Sequence, residues 1–118
     1  MASEGERYAR LLGNRGLHVE EKKGKQRTLL GGEVSYHTVT GISEGNYRLT
    51  IHLEPGPVRA QLVIHANSSE KAARAAKRLR SLGFQVDVEE ERISATKKRP
   101  SLTNIWEALE AAEEATRR

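Results

Sequence analysis

Between Tyr47 and His65 the chain alternates apolar and polar residues with a period of two. Tyr47, Leu49, Ile51 and Leu53 alternate with Arg48, Thr50, His52 and Glu54. After Pro55-Gly56, Val58, Ala60, Leu62 and Ile64 alternate with Arg59, Gln61, Val63 and His65. That is the period of strands with one buried face each, so the stretch reads as a hairpin. A turn at Pro55-Gly56 sets apolar against apolar: Leu53 opposite Val58, Ile51 opposite Ala60, Leu49 opposite Leu62 and Tyr47 opposite Ile64. A second turn at Glu44-Gly45 adds the preceding segment, with Ile42 opposite Tyr47, Thr40 opposite Leu49, Thr38 opposite Ile51 and Tyr36 opposite Leu53. A slip of one residue would send a strand's apolar set to the other face, so the pattern itself carries the register. The expectation is an antiparallel meander over 33–42, 46–54 and 58–66, with Val34, Tyr36 and Ile42 facing inward alongside the apolar sets above.

The period then becomes helical. Asn67-Ser68-Ser69-Glu70 is a helix-start signal, and Ala72, Ala75, Ala76, Leu79 and Leu82 recur at helical spacing up to Gly83. A helix over 68–82 is predicted on the inner face, with Lys71, Arg74, Lys77, Arg78 and Arg80 outside. Phe84, Val86 and Val88 resume the strand period, and helix-Gly-strand reads as a crossover to a strand parallel to its neighbour. At the start, Ser3-x-x-Glu6 is a capping box for a short helix over about 5–13, closed by Gly13-Asn14-Arg15-Gly16. Leu17, His18 and Val19 begin a strand, 20–27 is a charged hairpin tip, and Thr28, Leu29 and Leu30 return toward the core before a bend at Gly31-Gly32. Lys97-Lys98-Arg99-Pro100 reads as a basic linker. It leads to a last helix capped by Ser101 or Thr103, with Leu102, Ile105, Trp106, Leu109 and Ala112 on one stripe.

The expected fold class is therefore α+β: an antiparallel β-meander with hairpin extensions, one covering basic helix (68–82), and short N-terminal and C-terminal helices. Residues 1–96 form a single domain. Residues 97–118 are a linker and an amphipathic helix packed on that domain or on a partner. The terminal helices are placed at the sheet edges or on its other face.

Composition narrows the chemistry. A chain of 118 residues suits one domain with a modest core. The absence of Cys removes disulfides, thiolate nucleophiles and most zinc sites. No apolar run reaches the roughly 18–20 residues of a membrane helix. Met1-Ala2-Ser3-Glu4 lacks the basic and apolar regions of a secretory signal, so a cytoplasmic protein is expected. Many charges beside few Asn, Gln and Met suit a thermophilic source.

Charge is the strongest functional pointer. The formal net charge of +4 is uneven: residues 67–83 hold five Lys/Arg against one Glu. The N-terminus of that helix offers unpaired N–H groups and a partial positive charge, with Ser68, Ser69 and Lys71 placed beside it. Arg74 and Arg78 continue the side begun by Lys71, and Lys77 adds a further cation. Cations spaced along a helix neutralise phosphates without reading bases. Lys22, Lys23, Lys25 and Arg27 form a second basic segment and Lys97-Lys98-Arg99 a third. The register above also sets His37 opposite His52 and His52 opposite Arg59 on the polar face, a row able to hold phosphate. Two His are too few for a zinc site. With Tyr36 and Tyr47 pointing inward, that face lacks the aromatics of a base-stacking platform. No Gly-x-Ser-x-Gly elbow, phosphate loop or converging carboxylate set is present, so no catalytic residue, metal or cofactor is assigned.

Two outline resemblances bear on this. The order helix, three strands, helix over 5–82 resembles a double-stranded RNA-binding domain, a likeness that implies RNA contacts from Lys71 and Arg74. His65-Ala66-Asn67 replaces that family's Gly-rich helix entry, and an extra strand pair at 17–30 intervenes. The opening helix with Glu4 and Glu6, then a Gly and a strand, is similar to the start of Holliday-junction resolvase-type nucleases. Their central Asp has no counterpart, since Asp87 is the only Asp here. The expected function is a small nucleic-acid-binding protein, RNA or structured duplex favoured, acting through phosphate contacts. The alternative is an assembly subunit or homodimer docking through the sheet face or the Trp106 helix at 101–116. A metal-dependent nuclease ranks last.

Overall fold

A computed structural model describes residues 3–117 and has an α+β fold. In chain order the elements are α1 (Glu4–Asn14), β1 (His18–Arg27), β2 (Glu33–Ser43), β3 (Tyr47–Glu54), β4 (Arg59–His65), α2 (Ser69–Ser81), β5 (Gln85–Glu89), β6 (Arg92–Lys98) and α3 (Leu102–Thr116). The six strands form one sheet in the order β1-β2-β3-β4-β6-β5, every neighbouring pair antiparallel. Among the described residues no helix is long and apolar enough to cross a membrane.

The β3–β4 hairpin has the register its alternation predicts, with Tyr47 on Ile64, Leu49 on Leu62 and Ile51 on Ala60. Burial follows the same period: Tyr47, Leu49, Ile51 and Leu53 are buried, while Arg48 and Glu54 are exposed. The β2–β3 register is one residue off the expectation. The turn holds three residues, Glu44, Gly45 and Asn46, with Gly45 at φ +71° and Asn46 N–H donating to Ser43 O. Ser43 therefore lies opposite Tyr47, Gly41 opposite Leu49 and Val39 opposite Ile51. The extra residue inverts β2: Val39 is fully buried and Gly41 faces the core, whereas Val34, Tyr36 and Ile42 lie on the other face.

Three further expectations are corrected. The segment 20–27 is strand, not a hairpin tip; the tip is Thr28–Gly32, and Leu29 and Leu30 stand out in solvent. Lys97 and Lys98 belong to β6, so the basic stretch is part of the sheet and not a linker. The strand after α2 has no parallel neighbour: β5 turns through Glu90, at φ 57°, and pairs antiparallel with β6, which lies between it and β4.

All three helices cover one face. On that side lie Leu49, Ile51, Ala60, Leu62, Ile64, Ile93 and Ala95, none more than 0% exposed. The helices supply Tyr8 and Leu12 from α1, Ala72 and Leu79 from α2, and Ile105, Ala108, Leu109 and Ala112 from α3 to the same core. The terminal helices thus share the face of α2, α3 packed beside it and α1 over β1 and β2 at the sheet's edge, and neither lies on the opposite face. α1 approaches β2 closely because Gly41 has no side chain; a Cβ there would sit 3.0 Å from Leu12 Cδ2 and Leu17 Cδ1. α2 and α3 meet through alanines, Ala72 and Ala75 on one and Ala111 and Ala115 on the other. Burying every apolar stripe on one side leaves the far side of six strands without a covering layer among the described residues, an arrangement antiparallel sheets tolerate when that face is polar.

Candidate functional site

The uncovered face is read directly from the cross-strand pairs, since residues opposite one another share a face. One row runs Lys22–Thr38–His52–Arg59–Lys98 across β1, β2, β3, β4 and β6. With strands about 4.8 Å apart, the Lys22 and Lys98 backbones are about 19 Å apart. The next row, Glu20–Thr40–Thr50–Gln61–Thr96–Gln85, is mostly hydroxyl and amide. Thr40 and Thr50 are 3.4 Å apart at their Oγ1 atoms. The third row is His18–Ile42–Arg48–Val63–Ser94–Asp87. Here Arg48, His65 and Arg92 surround an open depression floored by Ile42 and Val63. At the opposite end Arg59, Lys98, Thr96 and Gln85 line a second one.

Long cations at both ends of a flat hydrogen-bonding strip can hold successive phosphates, with Thr and Gln reaching the sugar-phosphate oxygens between them. The His52 Nε2 is out of solvent contact and makes no hydrogen bond among the described residues.

His37, expected beside His52, is on the other face. It alternates with Thr38 and points under α1, where its Nε2 meets Glu21 Oε2 at 2.6 Å and its ring lies against Gly5. The three-residue turn is the cause, since it pairs His52 with Thr38. Arg59 is where the sequence places it, opposite His52. Tyr47 is buried as expected, but Tyr36 is on the open face, leaning over Gly24, where a Cβ would meet its Oη at 2.7 Å.

The basic helix is committed to internal contacts along much of its length. Ser68 caps α2, its Oγ accepting from Lys71 N at 3.1 Å. The C-terminal carbonyls of α3 lie against this end of α2. Asn67 donates from its backbone to Ala115 O and from Nδ2 to Thr116 O and Arg117 O, and Lys71 Nζ donates to Arg117 O. Arg78 pairs with Glu110 at 2.9 Å and Glu114 at 3.5 Å, and Arg74 with Glu70 at 3.0 Å. Ser69 and Lys77 are exposed, and Lys77 makes no ion pair among the described residues. Lys22, Lys23, Lys25 and Arg27 line the exposed β1 strand. Lys22 points to the open side, while Lys23, Lys25 and Arg27 alternate to the side of the helices, opposite His37, Ser35 and Glu33.

Arg48, His65 and Arg92 were not singled out from the sequence, and Lys98 was named there as part of the basic segment Lys97-Lys98-Arg99. Arg92-Ile93-Ser94-Ala95-Thr96 does alternate, and that was the available signal for β6. It is masked at Lys97, which takes an inward position and reaches Gly83 at the sheet's end. No group of three metal-ligating side chains occurs among the described residues. Trp106, on the exposed side of α3, is stacked beneath Arg15 with 4.3 Å between the guanidinium carbon and the ring centroid. Arg15 also pairs with Glu113 at 2.6 Å, tying the end of α1 to α3. Comparisons with family models, curated proteins and solved structures return no match for this chain.

Proposed function

We propose that the protein is a non-enzymatic nucleic-acid-binding module, with RNA or a structured duplex as its ligand, and that the open sheet face holds the phosphate backbone. The observation that carries this reading is the uncovered row Lys22–Thr38–His52–Arg59–Lys98, backed by the Arg48, His65 and Arg92 cluster. The open face is favoured over α2, because Lys71 and Arg78 already satisfy groups on α3. Lys23, Lys25, Arg27 and Lys77 add to the long-range field that attracts a polyanion.

The test is fluorescence anisotropy against duplex RNA, duplex DNA and single strands over a salt series. Binding should weaken steeply with salt, and Arg59→Ala and Lys98→Ala should each lower the slope of log K against log salt by about one. Lys71→Ala and Arg78→Ala should leave that slope unchanged. Parent-like slopes in Arg59→Ala and Lys98→Ala would remove the open face from the contact, and no binding at about 50 mM salt would remove the reading itself.

One observation supports a reading as an assembly subunit. Leu102 and Trp106, one helical turn apart on α3, are 45% and 38% exposed. A solution mass of one chain, unchanged by Trp106→Ala, counts against it.

A further inference from the structure

The β1–β2 hairpin extends past the body of the sheet. β3 pairs with β2 only from His37 to Ser43, so residues 24–27 and 33–36 form a free two-stranded arm, about 14 Å of strand before its turn. The turn is tightly closed. Thr28 N–H donates to Gly32 O at 2.8 Å, Gly31 N–H to Thr28 O at 3.1 Å and Gly32 N–H to Thr28 Oγ1 at 3.1 Å, with Gly31 at φ +86°. This ring of hydrogen bonds holds Leu29 and Leu30 outward, 106% and 99% exposed, the two most exposed large apolar side chains described. Behind them, Val34 and Tyr36 lie on one side of the arm, and Lys23, Lys25 and Arg27 on the other.

The geometry points to an arm that enters a groove of a base-paired duplex and inserts Leu29 and Leu30 between base pairs. This rests on the nucleic-acid reading above and deepens it by naming the form of nucleic acid and the mode of contact. Three features favour a duplex. Apolar side chains at the tip of a projecting element are the chemistry by which groove-binding proteins unstack base steps and bend the helix. The arm's cations outnumber its acids, with Glu33 the only carboxylate against Lys25 and Arg27, and these, with Lys23 at the arm's base, lie on the side opposite Val34 and Tyr36. With the apolar side on the groove floor, those cations face away from it and draw the polyanion through the long-range field. The arm is also continuous with the cationic row through Lys22 at its base, so a duplex lying on the sheet face runs into it.

The experiment uses the full chain with duplexes that carry 2-aminopurine at internal positions and fluorophores at both ends, one set DNA and one set RNA. The parent protein should raise the 2-aminopurine signal and shorten the end-to-end distance on at least one set, and the set that responds identifies the duplex. Leu29→Ser/Leu30→Ser should fold normally by circular dichroism, since neither leucine touches the core. It should bind at least about tenfold more weakly and lose both signals, with its salt slope intact. Binding by the parent with neither signal, or signals unchanged in the variant, overturns the wedge and leaves the phosphate contacts standing. Leucine-dependent binding to vesicles of anionic lipid without duplex distortion assigns the tip to a membrane surface and also overturns it. Absence of all nucleic-acid binding overturns this inference together with the function it rests on.

Discussion

Gly41 shows how much one position decides. It lets α1 lie against the sheet, and the atoms a Cβ would meet belong to Leu12 and Leu17, both buried. Gly41→Ala should therefore destabilise the fold by about 1–3 kcal/mol, read from the midpoint of denaturant unfolding. Gly24→Ala should be nearly neutral, because the atoms in its way are the end of the Tyr36 side chain, which can swing off the exposed face. Tyr8 and Tyr47 titrate above the ordinary phenol value of 10.0. Burial is the main cause in both, helped by Glu4 at Tyr8 and by Glu113 at Tyr47. A raised phenol pKa means that the folded state favours the neutral ring. The stability this contributes is complete below the unfolded pKa of about 10 and is lost as pH rises through the folded values. Stability should thus fall above about pH 10, with the phenolate absorbance of these two residues rising later than that of free tyrosine. Phenolates that form at the free-tyrosine pH while the fold persists would contradict this account.

At the scale of elements, the junction between α2 and α3 takes over the groups read as an anion site. A helix N-terminus and a helix C-terminus have opposite unmet hydrogen-bonding needs, and here each answers the other through Asn67, Lys71 and the carbonyls of Ala115, Thr116 and Arg117. Ser68→Ala removes the α2 cap and should cost about 0.5–2 kcal/mol by thermal or denaturant unfolding. Because the cap is structural, the same variant should bind nucleic acid like the parent. A loss of affinity without loss of stability would return the α2 N-terminus to the contact surface. The elements with the strongest periodicity were the legible ones. β3, β4 and α2 match their expected ranges within one or two residues, because each buries one face against a large partner. β6 was lost in the sequence because Lys97 interrupts its alternation. The tip of β1–β2 was misplaced because charged residues in 20–27 looked like a loop, although paired strands beyond the core can be polar on both sides.

For the whole molecule, the long dimension of 47 Å against 33 and 25 Å reflects a layered body plus an arm. The body has three helices on one side of the sheet, and the arm has no covering helix. Amide exchange should divide along that line: residues 24–27 and 33–36 should exchange far faster than those of β3, β4 and β6, whose opening requires breaking the shared core. Uniform protection across β1 and β2 would mean that the arm is packed against something in solution.

The sequence by itself determined what β3, β4 and α2 contribute to the core, the β3–β4 register and the α+β class. These follow from local periodicity and from burial, which act within a few residues of each position. Only the tertiary structure decided which cations remain free. The β2 register hinged on one residue in the turn after Ser43, and that residue moved His37 under α1, brought Tyr36 onto the open face and set Thr38 in the cationic row. That Lys71 and Arg78 reach groups at α3 was likewise decided by helix packing. Charge sums along the chain are blind to that, because Glu110 and Glu114 are more than thirty residues from the Arg78 they neutralise.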